Sequence, residues 1–95
     1  MPKIRIPARS LFSLGEWLSA SGDVREGLAA YHRLIKTHPN DNLVPRAYFE
    51  AARIYNDRMT DPEKAKRILS GVVKKYPDHD VIPTVRDYLE NSLTL

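Results

Sequence analysis

Between Leu11 and Pro39 the apolar and small residues fall into two stripes. Leu11, Leu14, Gly15 and Leu18 make the first, and Val24, Gly27, Leu28, Tyr31, Leu34 and Ile35 the second. Spacings of three and four place each set on one helix face. Ser21-Gly22-Asp23 separates them. The glycine suits a left-handed C-terminal turn, and Asp23 is placed to cap a second helix, with Glu26 completing a capping-box-like pattern. Pro39 stops that helix. Two helices with one apolar stripe each must pack on one another, so this stretch predicts a helical hairpin.

The pattern then recurs. His38 to Asn42 is a polar connector, and Asp41 or Asn42 is expected to cap a helix beginning at Leu43, with Pro45 in its first turn, where a missing N–H costs nothing. Tyr48, Ala51, Ala52 and Tyr55 form its inner stripe. The break from Asn56 to Asp61 is about a residue longer than the first, and Asp61-Pro62-Glu63 restarts a helix. Ala65, Ile68, Leu69, Val72, Val73 and Tyr76 run at helical spacing up to Pro77. HPNDNLVPRA in the first connector matches YPDHDVIPTV in the second, pairing Pro39 with Pro77 and Pro45 with Pro83 at an interval of 38 residues. After Pro83 a fifth helix is expected to run to about Ser92, burying Val85, Tyr88, Leu89 and Leu93 as a cap on the last hairpin.

Leu14-Gly15, Leu18, Gly22, Gly27, Tyr31, Leu34 and Pro39 stand at the spacings of a tetratricopeptide repeat, which the first hairpin resembles closely. Leu11, Leu18 and Gly27 depart from the family's frequent Trp, Tyr and Ala but keep their size class. The 38-residue interval exceeds the family's 34, the excess lying in the connector and the inner turn. The resemblance implies an all-α, right-handed stack: an N-terminal segment over 1–9, repeats over 10–39 and 42–77, and a capping helix over 80–93. It also implies a non-catalytic module that binds a protein or peptide partner in the concave groove. The alternative is an oligomerisation or tethering domain of a larger, membrane-associated bacterial protein, its groove filled by its own kind. The connector's Pro, polar cap, two aliphatics and Pro resemble repeats of bacterial envelope and membrane-associated proteins, which bears on location only. The corresponding location is the cytoplasm, or the envelope for a fragment of a longer protein.

Charge and chemistry alter this picture little. The net charge of +3 comes from fifteen basic and twelve acidic residues interspersed along the helices. The densest run, Lys64, Lys66 and Arg67 with Lys74 and Lys75, reads as a solvated flank with cations at a helix C-terminus rather than as a nucleic-acid surface. With no cysteine there is no disulfide or thiolate site. MPKIRIPARS lacks the apolar run of a secretory signal, and no stretch approaches the eighteen or so apolar residues of a membrane span. His32, His38 and His79 lack the i, i+4 spacing of a helical metal site, and Asp78-His79-Asp80 reads as a turn followed by a helix cap. A Gly-rich phosphate loop, a nucleophile elbow and a paired carboxylate on a buried face are all missing from the pattern. The expectation is therefore no enzyme, no metal and no cofactor.

In such a stack the first helix of each repeat lines the concave groove. The residues offset from its core stripe are Phe12, Glu16 and Ser19, then Phe49, Arg53 and Asn56, with Asp87 and Asn91 at the edge. Two aromatic faces beside an Arg and an Asn suit an extended or helical segment with an apolar anchor. The family's charged clamp for chaperone tails uses Lys and Asn where this chain has Phe12 and Glu16, so that activity is not implied. Trp17 falls about a quarter turn off the first stripe. The favoured reading makes it core. The alternative exposes it beside Ile4 and Ile6 as a self-association surface, which leaves a homodimer open.

Overall fold

Helices form where the stripes fall: α1 (Ala8–Ala20), α2 (Val24–Thr37), α3 (Val44–Asp57), α4 (Pro62–Lys75) and α5 (Ile82–Asn91). The computed structural model describes residues 5–93, and among these there is no strand. Each helix packs on the next in chain order, giving a helical solenoid of two hairpins and a closing helix, with extents of 50 × 31 × 16 Å. Leu11, Tyr31, Leu34, Val44, Leu69, Val81 and Val85 are its most deeply buried large side chains. α3 is the central element. It buries Val44, Ala47, Phe49, Ala51, Ala52, Ile54 and Tyr55, because it has neighbours on several sides at once.

The hairpin turns share one device. Gly22 (φ 95°) and Thr60 (φ 52°) each adopt left-handed backbone directly before the aspartate that opens the next helix. Asp61 then accepts a hydrogen bond from the Lys64 backbone N–H at 3.2 Å, as expected of a cap. Asp23 occupies the same place but its side chain accepts none, so the capping box with Glu26 does not close. Nor does Asp41 or Asn42 cap a helix at Leu43. Leu43 itself is the N-cap residue, and Asp41 Oδ1 accepts the Leu43 N–H at 2.8 Å, holding the turn that precedes the helix.

His79 takes Asp41's part in the second connector. Its Nδ1 accepts the Val81 N–H at 3.0 Å, while Nε2 meets the Asn42 carbonyl at 2.8 Å. A carbonyl only accepts, so Nε2 carries the proton and Nδ1 a lone pair. Asp80 Oδ1 also lies 3.0 Å from that Nδ1. The two connectors are thus joined through one side chain, and the turn forms as expected, but the helix cap does not: Val81 is the N-cap residue of α5 and no side chain caps it.

Close approach of α1 and α2 depends on two glycines. A Cβ on Gly27 would lie 2.3 Å from Ser19 Oγ and 3.1 Å from Ser19 N, and one on Gly15 would lie 2.7 Å from the Tyr31 ring. Ser19 itself is turned back along its helix, donating to the Gly15 carbonyl at 2.7 Å.

Two expectations for α1 are corrected. Leu14 is not on the inner stripe but 43% exposed, and Trp17 is not core but 65% exposed, because no helix covers that side of α1 among the described residues. Ile4 and Lys3 lie outside the described residues. Ile6 is half-buried against the core, and its carbonyl accepts from His38 Nε2 at 2.7 Å. Arg5 reinforces that tie by donating to the Thr37 carbonyl and to His38 Nδ1.

Candidate functional site

α1 and α3 run on the same side of the stack, and a cleft of about 290 Å³ opens between them. Its walls are Glu16 and Ser19 from α1, Tyr31 from α2, and Glu50, Arg53 and Asp57 from α3, with Arg58 at one end. Of the six residues expected there, Glu16, Ser19 and Arg53 line it.

The other three are placed elsewhere. Phe12 is half-buried and packs edge-on against Tyr31, ring centroids 5.5 Å apart. Phe49 is buried and meets Tyr88 edge-on at 5.6 Å. Asn56 donates to the Tyr88 hydroxyl at 2.9 Å and to Asp57 Oδ1 at 3.1 Å, while that hydroxyl donates to Asp57 Oδ1 at 3.0 Å. The three form a clasp that holds α5 to α3. Asp87 and Asn91, expected at the groove's edge, bond to each other at 2.7 Å.

Tyr31, Glu50, Asp57 and Arg58 are not among the residues expected in the cleft. Tyr31 belongs to the core stripe of α2, and only the crossing at Gly15 brings its edge to the cleft. Glu50, Arg53 and Asp57 follow one another at spacings of three and four, a polar stripe opposite the apolar one. That spacing was the available signal. Arg58 lies past the helix end, where periodicity says nothing.

Electrostatically the cleft is mixed. Arg53 pairs with Glu50 at 3.0 Å, and its guanidinium sits 5.8 Å from the centre of the Phe49 ring. Burial pushes the Tyr31 hydroxyl well above the ordinary tyrosine range, and the carboxylates of Glu50 and Glu16 push the same way, against a smaller pull from Arg53. Burial also raises Tyr88, with its bonds to Asn56 and Asp57 acting in opposite directions. Among the described residues, neither Glu16 nor Arg58 has an ion-pair partner. Of the cleft's three carboxylates and two guanidinium groups, Glu50 and Arg53 pair with each other, Asp57 is held by the neutral donors Asn56 and Tyr88, and Glu16 and Arg58 are left without an ion-pair partner there. Among the described residues no group of three His, Cys, Asp or Glu side chains is placed to hold a metal ion. No helix there is long and apolar enough to cross a membrane.

The family model described as tetratricopeptide repeat matches residues 9–41 and 46–79, well over half of the chain. Comparisons with curated proteins and with solved structures give no match.

Proposed function

Since the chain belongs to the tetratricopeptide repeat family, whose members mediate protein–protein interaction, we propose that the cleft between α1 and α3 binds an extended polypeptide segment. The observation that carries this reading is the pair of uncommitted charges, Glu16 and Arg58, on the wall of an open cleft. A segment lying along it would present a basic side chain to Glu16 and an acidic one to Arg58. With Phe49 in the core, recognition is polar and charge-directed rather than anchored on aromatics. Catalysis is no part of this reading.

The test is selection from a displayed random-peptide library. Peptides that bind through the cleft lose about tenfold in affinity on Glu16→Arg or Arg58→Glu, one charge reversal of roughly 1.4 kcal/mol, and peptides with the matching charge reversed recover it. Selected peptides indifferent to both substitutions overturn the proposal.

A second reading, self-association through α1, is favoured by one observation. Leu14 and Trp17, three residues apart on α1, both stand exposed on the same side of that helix. Light scattering across a concentration series distinguishes the readings. A dimer that dissociates on Trp17→Ala with its helix content intact supports this one, and a monomer at all concentrations excludes it.

A further inference from the structure

The side of the molecule facing away from the cleft carries a second feature. On α3, Tyr48 and Tyr55 project opposite to Glu50, Arg53 and Asp57, by the 100° advance per residue. Tyr55 meets His32 of α2 at 3.3 Å, and its ring carries the Lys64 ammonium of α4 at 4.4 Å. Beside Tyr48 is a notch of about 230 Å³ whose walls are Ile68, Val72 and Tyr76. Arg67 and Lys75 form its rim. A shallower depression adjoins it along α4, where Lys66, Arg67 and Lys74 surround Ser70, with Glu63 as its single acid. Among the described residues, none of Lys66, Arg67, Lys74 and Lys75 has an ion-pair partner.

Gly71 lies where notch and depression meet. A Cβ there would have no atom within 4 Å, whereas one on Gly15 or Gly27 would collide at 2.7 or 2.3 Å. Glycine inside a helix is less stable than alanine. At Gly15 and Gly27 contacts within the chain require it, and at Gly71 none does. Bare backbone at that point lets a second chain approach the helix closely.

We propose that this face of α4 docks an acidic polypeptide segment carrying one large apolar anchor, the anchor entering the notch and the acids meeting Lys66, Arg67, Lys74 and Lys75. Charge complementarity selects an acidic partner, and the notch has room for about one side chain. A second copy of this chain does not fit that description. Of its exposed large apolar side chains, Leu14 and Trp17 flank Glu16, the single acid of α1. Met59 follows Arg58 in a turn whose Asp57 and Asp61 are engaged by Tyr88 and the Lys64 N–H. Two chains of net charge +3 also repel. The proposal is independent of the cleft.

The experiment uses fluorescence anisotropy with a short peptide of glutamate and glycine carrying one central phenylalanine. Its comparators are the same peptide with serine at the centre, a single-stranded RNA oligonucleotide, and vesicles containing phosphatidylserine. The phenylalanine peptide is expected to bind roughly tenfold or more tightly than the serine peptide, the effect of burying one aromatic side chain. Lys66→Glu with Lys74→Glu weakens it about tenfold. Gly71→Ala raises the melting temperature yet weakens binding, a combination that no loss of folding produces. Glu16→Arg and Arg58→Glu leave this binding unchanged, which separates it from the cleft. Equal binding of the two peptides, or no binding of either, overturns the proposal. So does RNA or vesicle binding that outcompetes the phenylalanine peptide and ignores Gly71→Ala.

Discussion

Gly15 and Tyr31 are in contact across the first hairpin so closely that a Cβ on Gly15 would lie 2.7 Å from the Tyr31 ring. The ring cannot yield, because Tyr31 is among the most deeply buried large side chains and is braced edge-on by Phe12.

Gly15→Ala is therefore expected to destabilise the fold by about 1–2 kcal/mol in urea unfolding, since overpacking outweighs alanine's better helix propensity. A stability equal to or above that of the parent chain contradicts the crossing described here.

Thr60 provides the opposite case. Its β-branched side chain sits at φ 52°, the conformation that Gly22 supplies without strain in the first hairpin. Thr60→Gly is expected to raise stability by up to about 1 kcal/mol, relief of left-handed strain exceeding the entropy cost of glycine. The midpoint of thermal unfolding reports it.

His79→Ala removes the acceptor for the Val81 N–H and the donor to the Asn42 carbonyl. A loss of about 1–2 kcal/mol follows, with faster amide exchange at Val81. Asp80→Asn, by contrast, changes stability by less than about 0.5 kcal/mol, because Asp80 is exposed. A large effect of Asp80→Asn contradicts this.

Tyr31 and Tyr88 set the alkaline limit. Both hydroxyls are held above the ordinary value of 10.0 by burial first. The unfolded chain releases these protons near pH 10 while the folded chain keeps them. Their contribution is complete below about pH 10 and declines as pH rises through that value toward the folded pKa values. Urea midpoints from neutral to strongly alkaline solution should fall, and fall less steeply in Tyr31→Phe. A decline unchanged by that substitution shows that Tyr31 is not a source of it.

The division of the chain into five helices was legible in the sequence because caps, prolines and stripes agree at nearly every boundary. Local pattern fails where the environment of a residue is decided by a distant helix. Leu14 reads as core by spacing, yet core status needs a helix on that side, and α1 has none there among the described residues. Phe49 reads as a groove aromatic, yet Tyr88, thirty-nine residues on, closes over it. Tyr31 reaches the cleft edge only because Gly15 lets α1 and α2 close up, a relation that no single stripe encodes. Gly22 and Thr60 show the same limit in the turns, where the position demands left-handed backbone but only one of the two residues announces it.

The most direct test of the cleft as the binding site is an amide chemical-shift titration of the uniformly labelled chain with a peptide from the displayed library. Shifts concentrated at Glu16, Ser19, Glu50, Arg53, Asp57 and Arg58 are the expected result. Shifts confined to Leu14 and Trp17 or to Ile68 and Gly71, with the cleft amides unmoved, contradict it.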